Sequence, residues 1–329
     1  MATNFTTTTQ GGQREDLANW ISSISRDMTP FVSSIGKGKA TATLHEWSTD
    51  TLEVAAVQAQ VEGSAFTASA SPVVARITNR TQIMTKGIKV SGTLESVDKA
   101  GRKSEFKYQT EKRGKEMARD LEVTMVSQQI STAAAGAAGN IVAGSRLMGA
   151  YQSYSTVNIV AGTAAASTGA GSVQGAGDGT NVAVKGNAQA AAAFTLADVN
   201  EMLRQINGVT SVTPNKVMMS TTNKVKFSDL INTGAGTNVR RNIDERGKLR
   251  QSIDLYESDF GDVELVHNYL MGNAQVLVYD PSTMTMDTLR PAHFRDINED
   301  GDSLRSYLVQ ELTFCAKSPT GNGTIIAVA

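Results

Sequence analysis

Apolar and polar positions alternate from Lys86 to Leu94, with Ile88, Val90, Gly92 and Leu94 on one side and Lys89, Ser91 and Thr93 on the other. A period of two predicts a half-buried strand. After a turn at Lys99-Ala100-Gly101 the pattern changes, and Glu105 to Thr132 reads as a long helix with Ser104 as its cap. At about 1.5 Å per residue it is a rod on the order of 40 Å. Charge crowds its first half (Glu105, Lys107, Glu111, Lys112, Arg113, Lys115, Glu116, Arg119, Asp120), whereas everything after Glu122 is neutral. One end is expected at a surface and the other in a core.

Two apolar-rich runs precede that strand, Leu52 to Val61 and Val73 to Thr85, joined by small and polar residues from Ala65 to Ser71. They read as the two arms of a long hairpin. Residues 1 to 50 read as an arm, with a short amphipathic helix around Asp16 to Ile24 and a proline at Pro30 that limits helix continuation. Beyond the long helix, residues 158 to 193 are a low-complexity run of Gly, Ala, Ser and Thr, expected as an exposed insertion. Thr195 to Asp198 makes a capping-box variant for a helix whose apolar face is Leu196, Val199, Leu203 and Ile206, ended by Asn207-Gly208. Lys216 to Ser220 reads as a strand and Asn223 to Ile231 as a helix. Strands then follow at Ser252 to Glu257, Val263 to Leu270, Ala274 to Tyr279, Met284 to Leu289, Leu304 to Phe314 and Thr324 to Val328. The mixture is α+β.

Composition narrows the function classes. Lys plus Arg total 31 against 32 for Asp plus Glu, a net charge of -1, so no global field draws the chain onto nucleic acid or an anionic membrane. No uninterrupted apolar run of about 18 residues is found, and the Thr- and Gln-rich start does not read as a signal peptide, so no membrane partner is expected. One cysteine, Cys315, excludes an intrachain disulfide, and one thiol with three histidines (His45, His267, His293) is too few for a typical structural zinc site.

Candidate chemistry fails its context in each case. Asp296, Asn298, Asp300 and Asp302 stand at positions 1, 3, 5 and 7 of a calcium-loop spacing, with Gly301 at 6. Position 12 is Tyr307 instead of the bidentate Glu, and Pro291 lies where a helix is required, so these metal candidates read as a solvated turn between strands. His45-Glu46 is a poor acid/base pair because neighbours on a strand point to opposite faces. Cys315 has no evident His partner and reads as a small buried residue. The Gly-rich stretch around Gly169 to Gly179 lacks the strand and helix of a phosphate loop. No catalytic residue and no cofactor is expected. The basic run that includes Arg240 and Arg241 is expected to pair with acidic neighbours across a subunit interface.

Several segments, in order, resemble a family of tailed-phage major capsid proteins with the Hong Kong 97 fold. They are Thr29-Pro30-Phe31 through Gly36-Lys37, His45-Glu46-Trp47-Ser48-Thr49-Asp50, Thr81-Gln82-Ile83 through Val90-Ser91-Gly92-Thr93, Asp98 through Glu105 and Tyr256 through Gly261. Together they touch most of the chain apart from residues 150 to 195. The resemblance implies an arm (1–50), an extended two-stranded loop (51–85), a peripheral domain on a spine helix (86–135), an axial domain (136–303, with the 158–193 insertion) and C-terminal strands returning to the peripheral domain (304–329). It implies self-assembly through pentamers and hexamers into an icosahedral virion shell, built in the host cytoplasm around non-specifically held double-stranded DNA. A portal, a separate scaffolding protein and a cementing protein are the implied partners. Glu53, Glu62, Arg76 and Arg80 on the loop are expected at inter-subunit contacts. In the fold's archetype a loop lysine forms an isopeptide bond with a neighbour's asparagine, and no lysine lies between Leu52 and Thr85. An encapsulin-like compartment or a flagellin-like filament are the competing readings.

Overall fold

The computed structural model describes residues 28–53, 55–65, 72–99, 101–155, 158–161, 178–179, 195–210, 212–233, 254–298 and 301–326. The helix read at Asp16 to Ile24 and most of the 158–193 run lie outside them. The chain opens with helix α1 (Pro30–Ser34), edge strand β1 (Gly36–Lys39) and the antiparallel pair β2 (Leu44–Thr49) and β3 (Ala75–Arg80). Strand β4 (Gln82–Ser91) and helix α2 (Gly92–Ser96) lead into the long helix α3 (Glu105–Val126). Ile88 and Val90 are buried in β4 as the alternation predicts, but the strand stops at Ser91, whose hydroxyl accepts from the Leu94 amide and starts α2.

Helix α3 begins where its sequence says. The Ser104 hydroxyl accepts from the Lys107 amide, and the Glu95 carboxylate accepts from the amides of Glu105 and Phe106, satisfying three of its open N–H groups. It ends six residues before the predicted Thr132. There the backbone turns to a second strip of chain: Thr132 and Leu147 exchange amide bonds at 3.0 Å, and Ala150 N–H donates to the Gln129 carbonyl at 2.8 Å. Those partners win because Ile130 is exposed and has no core to reach along the helix axis.

The second half supplies helix α4 (Tyr151–Tyr154), strand β5 (Ile159–Ala161), helix α5 (Leu196–Val209), strand β6 (Lys216–Met219), helix α6 (Thr221–Thr233), strands β7 (Leu255–Ser258), β8 (Gly261–His267) and β9 (Gln275–Tyr279), the long hairpin β10 (Met284–Ile297) and β11 (Ser303–Ala316), and β12 (Gly323–Ile326). A four-stranded sheet runs β1-β10-β11-β4 and a six-stranded sheet runs β5-β12-β9-β6-β8-β7. Strand β10 continues past the predicted Leu289 and through Pro291, because its pairing with β11 slips in register between Thr288 and His293, where a missing N–H costs nothing.

Two cores meet at the six-stranded sheet. Val217, Met219, Val276 and Val278 face α5 and α6, while Met218, Leu277 and Tyr279 face α3, α4 and the four-stranded sheet. With both faces covered, β9 is buried throughout, so its sequence shows no alternation. Strand β10 belongs to the four-stranded sheet, and β12 pairs with β9 and β5 instead of following β11.

Candidate functional site

The segment between β2 and β3 is the most exposed part of the described chain. Its described residues after Thr49 form no regular element, and Leu52, Val61 and Val73 are 96%, 79% and 89% exposed. Aliphatic side chains bared together on one segment make it a candidate docking surface. The two-stranded part is the base: His45 to Thr49 opposite Ala75 to Asn79. The predicted hairpin of Leu52 to Val61 against Val73 to Thr85 is therefore shifted toward the root, and its second arm is cut at Thr81, where β3 leaves and β4 enters another sheet.

That base is fastened by buried polar groups. Asn79 is fully buried; its amide donates to the carbonyls of Phe314 (2.6 Å) and Gly149 (3.2 Å), and its carbonyl accepts from the amides of Gly149 and Arg80, both at 2.8 Å. The Tyr154 hydroxyl donates to the Thr78 carbonyl at 2.9 Å, and burial pushes its pKa up. Trp47 donates its indole N–H to the Ala316 carbonyl at 2.8 Å. At the corner, Thr81 donates to the buried Glu311 carboxylate, which also takes Arg146 at 2.7 Å and Arg290 at 2.8 Å. Pairing one buried carboxylate with two guanidinium groups and a hydroxyl offsets its desolvation.

His45 reaches the buried Asp287 of β10, Nε2 to Oδ2 at 2.8 Å, and Cys315 of β11 stands beside them. Burial, then the Asp287 carboxylate, push the Cys315 thiol up to about 11, so it is protonated as the subunit stands. Cys315 is buried, as its sequence context predicts, and a histidine nonetheless stands within 4.8 Å of it. His45 and Cys315 are 270 positions apart in the sequence (315 − 45), a separation no local pattern reveals.

At the other end of the arm, α1 lacks a side-chain cap of its own, and Glu122 of α3 supplies it. Its carboxylate accepts from the amides of Phe31 (2.8 Å) and Val32 (2.9 Å) and from Asn268 (2.5 Å), and burial raises its pKa.

The sequence matches the profile of the SU10 major capsid protein family along residues 1–329. The chain belongs to that family. A 132-residue stretch, 40% of the chain, is 42% identical to the major capsid protein of Escherichia phage Phieco32, and that match spans 37% of the relative's own length. The fold is shared with the capsid asymmetric unit of cyanophage A-1(L), at a TM-score of 0.70 and 11% identity over 98% of both chains. It is also shared with the capsid subunit of the native GTA particle, at 0.61 and 13% over the full length of both. The expected Hong Kong 97 fold is therefore the fold observed.

Within this family frame, the loop residues singled out from sequence separate. Glu53 and Glu62 are exposed on the projecting segment. Arg76 faces Glu46 across the β2–β3 ladder at 3.4 Å, an exposed pair of small worth. Arg80 is half-buried beside the Asn79 knot. Asp296 sits in β10 opposite Ser306, Asn298 follows the strand, and the Asp302 carboxylate lies against Gly92, so these oxygens border a hairpin tip without flanking helices. Asp300, Arg240 and Arg241 lie outside the described residues. Asn79, Glu122 and Glu311 were not found from sequence, since nothing in a run such as Thr78-Asn79-Arg80-Thr81 distinguishes a buried knot from a polar turn.

Proposed function

We propose that this chain is the subunit of a phage head, closing pentamers and hexamers by laying the 50–74 projection over its neighbour. The observation that carries this is the exposed aliphatic row on a loop whose root is fixed by Asn79, Trp47 and Tyr154: the root is rigid and the projection is apolar. The four-stranded sheet with α3 corresponds to the peripheral domain and the six-stranded sheet with α5 and α6 to the axial one. The work of the protein is association, without a catalytic step of its own. A scaffolding protein, a portal, a cementing protein and non-specifically packaged double-stranded DNA are its partners, and assembly takes place in the host cytoplasm. Negative-stain microscopy of the expressed chain, with and without its phage's scaffold, tests this: closed shells support it, and filaments or persistent monomers in both samples overturn it.

A further inference from the structure

We propose that His45, Asp287 and Cys315 form a site for a zinc-class divalent transition metal, completed by a water as fourth ligand. The imidazole nitrogen, carboxylate oxygen and thiol sulfur come from β2, β10 and β11, and all lie within 4.8 Å of one another. Ligands about 2.0–2.3 Å from one tetrahedral ion stand roughly 3.3–3.8 Å apart, so modest side-chain rotation closes the set. Nitrogen with oxygen and sulfur is the donor mixture that zinc and cobalt accept, and the thiol disfavours calcium and magnesium.

A second observation points to the same place. Thr313 is fully buried and its hydroxyl has no hydrogen-bond partner among the described residues. In the β10–β11 ladder Asp287 stands opposite Thr313 and Thr285 opposite Cys315, so all four share one face of the sheet. A buried hydroxyl left unpaired is costly, and a metal-bound water on that face gives it a partner. The His45–Asp287 contact accounts for two of the groups and leaves the Thr313 hydroxyl without a partner among the described residues.

The surroundings suit the role. The Thr285 hydroxyl hydrogen-bonds Cys315, and Gly38 of β1 has no side chain because a methyl there would overlap the Asp287 carboxylate. The His45 side chain is 20% exposed against 8% for Asp287, so an ion and its water approach from the His45 side. On binding, the thiol proton passes to solvent and the sulfur, imidazole and carboxylate each donate a lone pair to the ion. The metal then ties the root of the projecting loop to the hairpin of the four-stranded sheet.

The test is a cobalt(II) titration of the full chain, as purified subunits and as assembled shells. Cys315 is the chain's single cysteine, so a thiolate-to-cobalt charge-transfer band reports this site alone. The expected result is one cobalt per chain with that band, displaced by zinc, absent in Cys315→Ser and His45→Ala, and retained in His267→Ala on the other sheet. Absence of the band in the unaltered chain overturns the proposal without any variant having to fold, and so does a band that survives His45→Ala.

Discussion

Glu122 is held by three neutral donors, the amides of Phe31 and Val32 and the side chain of Asn268, in a buried position that raises its pKa above the ordinary 4.5. The folded state therefore binds this proton more tightly than the unfolded chain does. Its contribution is fully present below pH 4.5 and is lost as pH rises through the raised value. Glu122→Gln removes the titration while keeping an acceptor for α1. Denaturant unfolding of both proteins between about pH 4 and 7 should show the stability of the original chain, relative to the variant, falling as pH rises; parallel curves would count against it. Asn79 makes a sharper case, because alanine there removes the side-chain partner of two carbonyls and two amides. At roughly 1–3 kcal/mol for each unsatisfied group, partly relieved by relaxation, the loss is about 3 kcal/mol or more. Thermal unfolding of the purified subunit checks it, and a change under about 1 kcal/mol, the scale of a surface substitution, would show that the knot is not needed.

At the scale of elements, the legible parts were those whose start or face is written locally. Ser104 before Glu105 and Thr195 before Asp198 each announced a helix, and both caps form. The ends were less legible, since what stops α3 is a strip of chain near Leu147 and what lets β10 pass Pro291 is a register slip against β11. The site at the loop root was hidden for the same reason: His45, Asp287 and Cys315 are brought together only by the sheet and the strand laid on it. The short strand β1 illustrates how tightly such pairing constrains sequence. Gly38 lies opposite Asp287, and a larger residue meets its carboxylate, whereas a Cβ at Gly87 of β4 meets nothing within 4 Å. Gly38→Val should cost about 1–3 kcal/mol by overpacking, and should speed hydrogen exchange at Ala40, whose amide donates to the Thr288 carbonyl. Gly87→Ala should be neutral or gain about 0.5 kcal/mol. Equal effects from the two would show that close approach at Gly38 is not what holds β1.

At the scale of the whole molecule, the question is what holds copies together once the projection lies on a neighbour. The archetype of this fold uses a loop lysine and a neighbour's asparagine, which requires an amine near the tip of the projection. The segment from β2 through β3, Leu44 to Arg80, contains no lysine; its basic side chains that stay charged are Arg76 and Arg80. A guanidinium stays protonated and cannot serve as the attacking amine. The nearest lysines flank the segment, and neither is placed at its tip. Lys39 sits in β1 on the four-stranded sheet, and Lys86 in β4 is paired with Asp120 of α3 at 2.5 Å. The bare side chains of Leu52, Val61 and Val73 offer the alternative, apolar area that leaves water on docking, with Glu53 and Glu62 beside them for polar contacts at the rim. The mature shell should therefore be non-covalent. Virions boiled in detergent and run on a denaturing gel should give one band near 34.8 kDa, and a ladder of oligomers that survives reducing agent would mean that an amine outside the projection reaches a neighbour after all.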